Sequence, residues 1–207
     1  MAAPLPSLLG MVIAIDGPAG AGKSTVARAV ARALGFTYLD TGAMYRCVGL
    51  ASLRGEVDLE GIEIAVGDRV LLDEEDVTDA IRTPEVSEAA SHVATDPQVR
   101  AALVAKQQGM LESGDWVAEG RDIALVVAPE AEVKVFLTAD PQERARRRAA
   151  ETGREVGAVA TEQADRDSRD ATGDRTVDAP APGAVALDTT GLGIDEVVAR
   201  IVEMAGR

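Results

Sequence analysis

The residues Gly17-Pro18-Ala19-Gly20-Ala21-Gly22-Lys23-Ser24, followed by Thr25, carry the spacing G-x-x-x-x-G-K-[ST]. Glycines let the backbone curl so that successive N–H groups point inward as an anion-binding nest. A helix that starts at the loop adds free N–H donors and a partial positive charge. Lys23 reaches the outer phosphates of a nucleoside triphosphate, and the Ser24 hydroxyl can ligate Mg²⁺. Further along, Asp40-Thr41-Gly42-Ala43-Met44-Tyr45-Arg46 and Glu119-Gly120-Arg121-Asp122 each place charges directly after a short apolar run. Arg144, Arg146, Arg147 and Arg148 crowd five positions of an acidic chain and point to an anion.

Positioning these groups requires strands that end where they begin. Met11 to Ile15 is an apolar run before Asp16, and Val26, Ala27, Val30, Ala31 and Leu34 recur with helical period after the loop. Gly35 reads as the stop of that helix. Phe36-Thr37-Tyr38-Leu39 predicts a second strand, with Thr41 as the cap of the next helix. Trp116-Val117-Ala118, Val133 to Leu137 and Val185-Ala186-Leu187 predict three more strands, separated by helical patterns that start at Pro84, Asp96, Asp140 and Ile194. This alternation predicts an α/β fold: a doubly wound, three-layer α/β/α arrangement of the P-loop NTPase type around a five-stranded parallel sheet. In such a sheet, ligands gather at the carboxyl ends of the strands, where the loop and both charged turns lie.

Two segments interrupt the alternation. Residues 62–72 predict a β-hairpin followed by an acidic loop from Asp73 to Asp79, within a small insertion over about 55–83. Residues 151–182 have few bulky apolar side chains but carry Arg154, Arg166, Asp167, Arg169, Asp170 and Arg175, which predicts a mobile flap without a core. The whole chain then reads as one domain: core about 11–54, 84–143 and 183–207, insertion about 55–83, and a helical and loop lid about 144–182.

Composition removes several classes. Net charge is −14, which disfavours a nucleic-acid polymer or an anionic membrane as partner. Aromatics make up 2%, too few for stacked-base platforms. A single Cys47 and a single His92 rule out an internal disulfide, a cysteine-based zinc site and any mechanism that needs two histidines. Residues 1–10 lack the basic start of a signal peptide, and no apolar run is long enough to span a bilayer, so a cytoplasmic monomer is expected. Translation could start at Met1 or at Met11.

A phosphate nest serves switch GTPases, motors and small-molecule kinases. The chain has no N-K-x-D sequence to read guanine. The position where a motor carries its second acidic motif holds Glu119-Gly120-Arg121-Asp122. A kinase whose acceptor is already a phosphate anion needs no protein base, only positioning, Mg²⁺ and positive charge around the transferring group. An arginine-bearing flap that excludes water suits that task.

Over nearly its whole length the chain resembles the bacterial cytidylate kinases. The specific matches are Asp40-Thr41-Gly42-Ala43-Met44-Tyr45-Arg46 and Glu119-Gly120-Arg121-Asp122, with Ala89-Ala90-Ser91, Val99-Arg100 and Asp188-Thr189-Thr190 in support. The resemblance implies phosphoryl transfer from ATP to CMP and dCMP with Mg²⁺, the donor on Gly17–Thr25. It implies that Thr41, Arg46 and Arg121 hold the CMP phosphate and that Ser91, Arg100 and Asp122 read the cytosine edge. Tyr45 would pack beside the nucleotide, Arg166 and Asp170 would contact ribose and phosphate, and Lys23, Arg121 and Arg166 would act in catalysis. The chain departs from the family at Gly173, where an arginine is usual, with Arg175 two residues on, and at Ala124-Leu125, where the family has Gly-Thr. Readings that the residues leave open are a kinase for UMP, AMP or shikimate, and a nucleotide-binding module without turnover.

Overall fold

A computed structural model describes residues 10–55, 57–170 and 179–206 of the 207-residue chain. Strand β1 (Val12–Asp16) leads through the glycine-rich loop into helix α1 (Lys23–Leu34), which stops at Gly35 in the left-handed region. Strand β2 (Thr37–Asp40) runs directly into α2 (Thr41–Arg54). After an excursion through three short strands come α3 (Pro84–Val93), α4 (Pro97–Leu111), β6 (Trp116–Glu119) and β7 (Val133–Thr138). Helices α5 (Pro141–Thr152) and α6 (Val156–Asp170) precede β8 (Val185–Asp188) and α7 (Ile194–Met204). The large sheet has the order β2-β6-β1-β7-β8, and every pairing in it is parallel. The expected five-stranded parallel α/β/α architecture is what the chain adopts.

Strand alternation splits the core into two layers. On β1, Ile13 and Ile15 face one side, where they join Val26, Val30, Val135, Leu137, Val197 and Ile201 under α1 and α7. Ala14, together with Leu39 and Ala118 from the neighbouring strands, faces the other side, against α2 and the residues Val86, Val99 and Leu103 of α3 and α4. Both faces are covered because both alternate sets are apolar. Cys47 is buried in the second layer, and its thiol is pushed up to about 12 by burial.

Three local expectations change. The acidic loop contains a third strand: β3 (Ile64–Val66) and β4 (Val70–Leu72) form the hairpin, and β5 (Glu75–Asp76) adds antiparallel to β4. Asp73 and Glu74 both have positive φ, the left-handed pair that a two-residue hairpin turn requires and that Asp tolerates well. The cap of α2 is Asp40, whose carboxylate accepts from the Ala43 amide at 2.8 Å, and Thr41 is the first helical residue. The flap, expected to lack a core, buries Val159 and Gln163 along a helix that runs to Asp170. The side chain of Asp170, together with residues 171–178 including Gly173 and Arg175, lies outside the described part of the structure.

Candidate active site

The phosphate loop is built by a close approach. A Cβ on Gly17, whose φ is +147°, would stand 2.0 Å from the Leu137 carbonyl oxygen, so only glycine lets the loop leave β1 against β7. The α1 N-terminus follows Gly22 in the left-handed region, with no side-chain cap bond. Its first N–H groups are therefore available to an anion. Lys23 Nζ donates to the Pro18 carbonyl at 2.9 Å, which folds the side chain over the loop. Its pKa is pushed well below the ordinary lysine range by burial, and further by the neighbouring Arg121 and Arg166 charges. Three cationic groups thus converge at one strand end.

Strand register places the second acid of the site. Glu119 ends β6, paired with Ile15 of β1 on one side and Asp40 of β2 on the other. It is only 3% exposed. The Ser24 hydroxyl lies near enough to its carboxylate to favour the charged form, and the Tyr38 phenol donates to Oε1 at 2.5 Å. Burial raises the Glu119 pKa, helped by Asp40 and opposed by Lys23, Ser24 and Tyr38. The Tyr38 phenol is raised too, by burial and by the adjacent carboxylate. From sequence, Glu119 carries no role of its own beyond its place in the charged turn Glu119–Asp122, and Tyr38 is only a strand residue. The available signal was an acidic residue closing an apolar strand that neighbours the loop strand.

The remaining candidates lie on the other side of β6. Arg46 Nη2 pairs with Asp40 at 3.0 Å, and its Nε is buried with no hydrogen-bond partner among the described residues. The Thr41 hydroxyl donates to the Glu119 carbonyl at 2.7 Å, which ties the starts of both charged turns together. Arg100 on α4 pairs with Asp122 at 2.6 Å, and Tyr45 lies within electrostatic reach of Arg100. Ser91 on α3 is 4% exposed, and its hydroxyl has no partner among the described residues. Buried polar atoms without partners are rare, and those of Arg46 and Ser91 fit polar groups of a ligand.

Arg121 links the two sides. Its Nη1 donates to the Gly17 carbonyl at 3.0 Å and approaches Asp167 Oδ1 at 3.5 Å. Asp167, on α6, also accepts from the Ala19 amide at 3.2 Å and from Arg144 Nη1 at 2.6 Å. This carboxylate anchors α6 to the phosphate loop and brings Arg166, one residue earlier, near Lys23. The four arginines of α5 do not act together. Arg144 reaches the Ala19 carbonyl at 2.8 Å, and Arg147 is held by Thr189 and Glu143. Arg146 and Arg148 pair with Glu143 and Glu151 at the surface. A rotation of about 100° per residue separates them. Two cavities, of about 330 and 300 Å³, lie elsewhere: one beside Arg54, Asp73 and Glu75, the other beside Gly10, Val127 and Pro129. A phosphate nest is a shallow backbone feature, and here the Asp167 carboxylate fills part of the space before it.

The donor set suits Mg²⁺. Ser24 and Glu119 offer hard oxygens of the kind Mg²⁺ takes, and no group of three or more His, Cys, Asp or Glu among the described residues could hold a metal. No described helix is long and apolar enough to cross a membrane.

Comparison with known proteins agrees with this geometry. The family model for cytidylate kinase matches residues 13–207. The chain is 49% identical to the cytidylate kinase of Carboxydothermus hydrogenoformans, over 95% of this chain and 98% of that one. It is 48% identical to the cytidylate kinase of Solibacter usitatus, over 94% and 91%. Among solved structures, a gluconokinase from Sinorhizobium meliloti shares the fold at TM-score 0.51 and 16% identity, covering 96% of this chain and 93% of that one. With the family model matched over residues 13–207 and near-full-length relatives at 48–49% identity, the chain belongs to the cytidylate kinase family.

Proposed function

We propose that this chain transfers the γ-phosphoryl group of ATP to the phosphate of CMP and of dCMP, giving ADP and the pyrimidine diphosphate. The observation that carries the reading is the position of Arg121. It donates to Gly17 of the phosphate loop and directly precedes Asp122, which pairs with Arg100. One residue therefore stands between a triphosphate nest and a second polar pocket.

In this reading the Gly17–Thr25 loop and Lys23 hold the triphosphate, and Arg46, Thr41 and Arg121 hold the acceptor phosphate. Ser91, Arg100 and Asp122 face the base: a carboxylate accepts from the cytosine amino group and an arginine donates to its carbonyl. Tyr45 packs beside the nucleotide. An acceptor phosphate oxygen attacks the γ-phosphorus, the bond to the β–γ bridging oxygen breaks, and ADP leaves with that electron pair. The acceptor is already anionic, so no side chain has to remove a proton. Lys23, Arg121 and Arg166 neutralise charge spreading over the transferring group. Ser24 and Glu119 are the residues that would hold Mg²⁺, which would supply further charge neutralisation for the phosphates. This reading assigns a lid to residues about 144–182, an acceptor-side insertion to residues about 55–83 and, from the family resemblance alone, a ribose contact to Asp170.

An acceptor panel with ATP tests this. CMP and dCMP should support ADP formation well above UMP, AMP and shikimate. Preferred turnover of AMP or shikimate would assign another acceptor. Tight ATP binding with no ADP formed from any acceptor would assign a non-catalytic module.

A further inference from the structure

Asp16 is the last residue of β1 and directly precedes Gly17, so its place in the chain assigns it to the donor side. Its side chain goes elsewhere. Oδ1 accepts from the Ile123 amide at 2.9 Å and Oδ2 from the Ala124 amide at 2.8 Å. These are the first two amides of a π-helical turn, Ile123–Val127, that starts immediately after Asp122. Helix-start amides have no partner within their own turn, and buried ones need an acceptor. A carboxylate supplies two acceptors in one group.

The same strand end grips the chain on the other side of the pair Arg121-Asp122. The Gly120 amide donates to the Ile15 carbonyl at 3.0 Å. Arg121 and Asp122 are thus held between two anchors, both supplied by residues 15 and 16. Between them the backbone takes a non-repetitive turn, with Asp122 at φ −143° and ψ 29°. We propose that Asp16 is a positioning residue for the acceptor side: by clasping Ile123 and Ala124 it sets where Arg121 and Asp122 present their side chains, and so governs affinity and base choice for CMP rather than handling of ATP.

The carboxylate satisfies two buried amides, and it does so at a cost to itself. Asp16 is 4% exposed, and its pKa is raised to about 6, first by burial and also by the facing Asp122 carboxylate, against the pull of the two amides and of Lys23. A buried charge held at such cost is the pattern found where geometry serves a site.

The proposal rests on Asp122 facing the cytosine, so the test separates the two ideas. In Asp16→Asn one acceptor becomes a donor that faces an N–H. The KM for CMP is expected to rise about tenfold or more, and discrimination against UMP to fall, while the KM for ATP stays within about twofold. Amide exchange should quicken at Ile123 and Ala124 but not in the phosphate loop. Asp16→Ser is read the same way if the asparagine variant does not fold. An ATP KM that moves as far as that for CMP, or a CMP KM that does not move, overturns the proposal. Asp122→Ala is the control: if it leaves CMP KM and base preference unchanged, the acceptor-site reading fails. If it alters them while Asp16→Asn does not, only the role of Asp16 fails.

Discussion

Arg100 Nη2 stands 2.6 Å from Asp122 Oδ2, and this ion pair joins helix α4 to the loop after β6 across 22 residues of sequence. Each side chain is largely shielded from water, so the pair is more than a surface contact. It also leaves one carboxylate oxygen and further guanidinium donors for a third group. A pyrimidine edge that offers both an amino donor and a carbonyl acceptor matches that remainder.

Asp122→Asn retains the shape and removes the charge. The CMP-to-UMP preference should drop by about one to two orders of magnitude, with the ATP KM held, because a hydrogen bond to a charged group is worth about 1.5–3 kcal/mol. Steady-state kinetics with both acceptors measures it. An unchanged preference would falsify the assignment of the base-facing side.

Lys23 should report ligand arrival through protons. In the free protein its pKa is lowered by burial and by Arg121 and Arg166. A triphosphate brings opposite charge and raises it again. Binding of ATP above neutral pH should therefore take up protons. Titration calorimetry in buffers of different ionisation enthalpy measures the uptake, which should disappear in Lys23→Met. The same variant should lose kcat by about 10²-fold or more, as expected when a donor to the developing charge is removed.

Tyr38 orients Glu119, so Tyr38→Phe tests the metal side. The ring, with Arg28 5.2 Å from its centre, is retained and only the hydroxyl is lost. Affinity for ATP in the presence of EDTA should not change, whereas affinity for ATP with Mg²⁺ should weaken by about three- to tenfold, the effect of one hydrogen bond of about 1 kcal/mol. Equal weakening under both conditions would mean that Tyr38 does not act through a metal ligand.

Gly49 sets the approach of α2 to α3. A Cβ there would lie 2.7 Å from the Ala90 amide nitrogen, a backbone atom that cannot step aside. Ser91 is the next residue. Gly49→Ala should destabilise the fold by about 1–3 kcal/mol, the usual cost of overpacking, despite the better helix propensity of alanine. Displacing α3 should also raise the CMP KM and leave that of ATP alone. Thermal melts and acceptor kinetics on one preparation give both readings.

What the sequence determined by itself is local and periodic. Gly17 to Thr25 could be read as an anion nest because backbone curvature, helix start and lysine reach are all settled within nine consecutive residues. The five parallel strands were legible because apolar runs bounded by turn residues leave few alternatives, and Asp140 and Asp96 announce their helices as capping residues do. The resemblance to a family added residue roles that spacing does not carry. Tertiary structure alone decided which distant groups meet. Glu119 reaches Ser24 and Tyr38 because β6 inserts between β1 and β2, and strand order is not written in any one segment. Asp16 turns to residues 123 and 124 rather than to the loop it adjoins, and Asp167 crosses from α6 to Ala19. The arginines of α5 scatter because helical rotation, not their count, chooses their neighbours. Contacts across a hundred residues follow from how two layers of helices pack on one sheet, and that packing is a property of the whole chain at once.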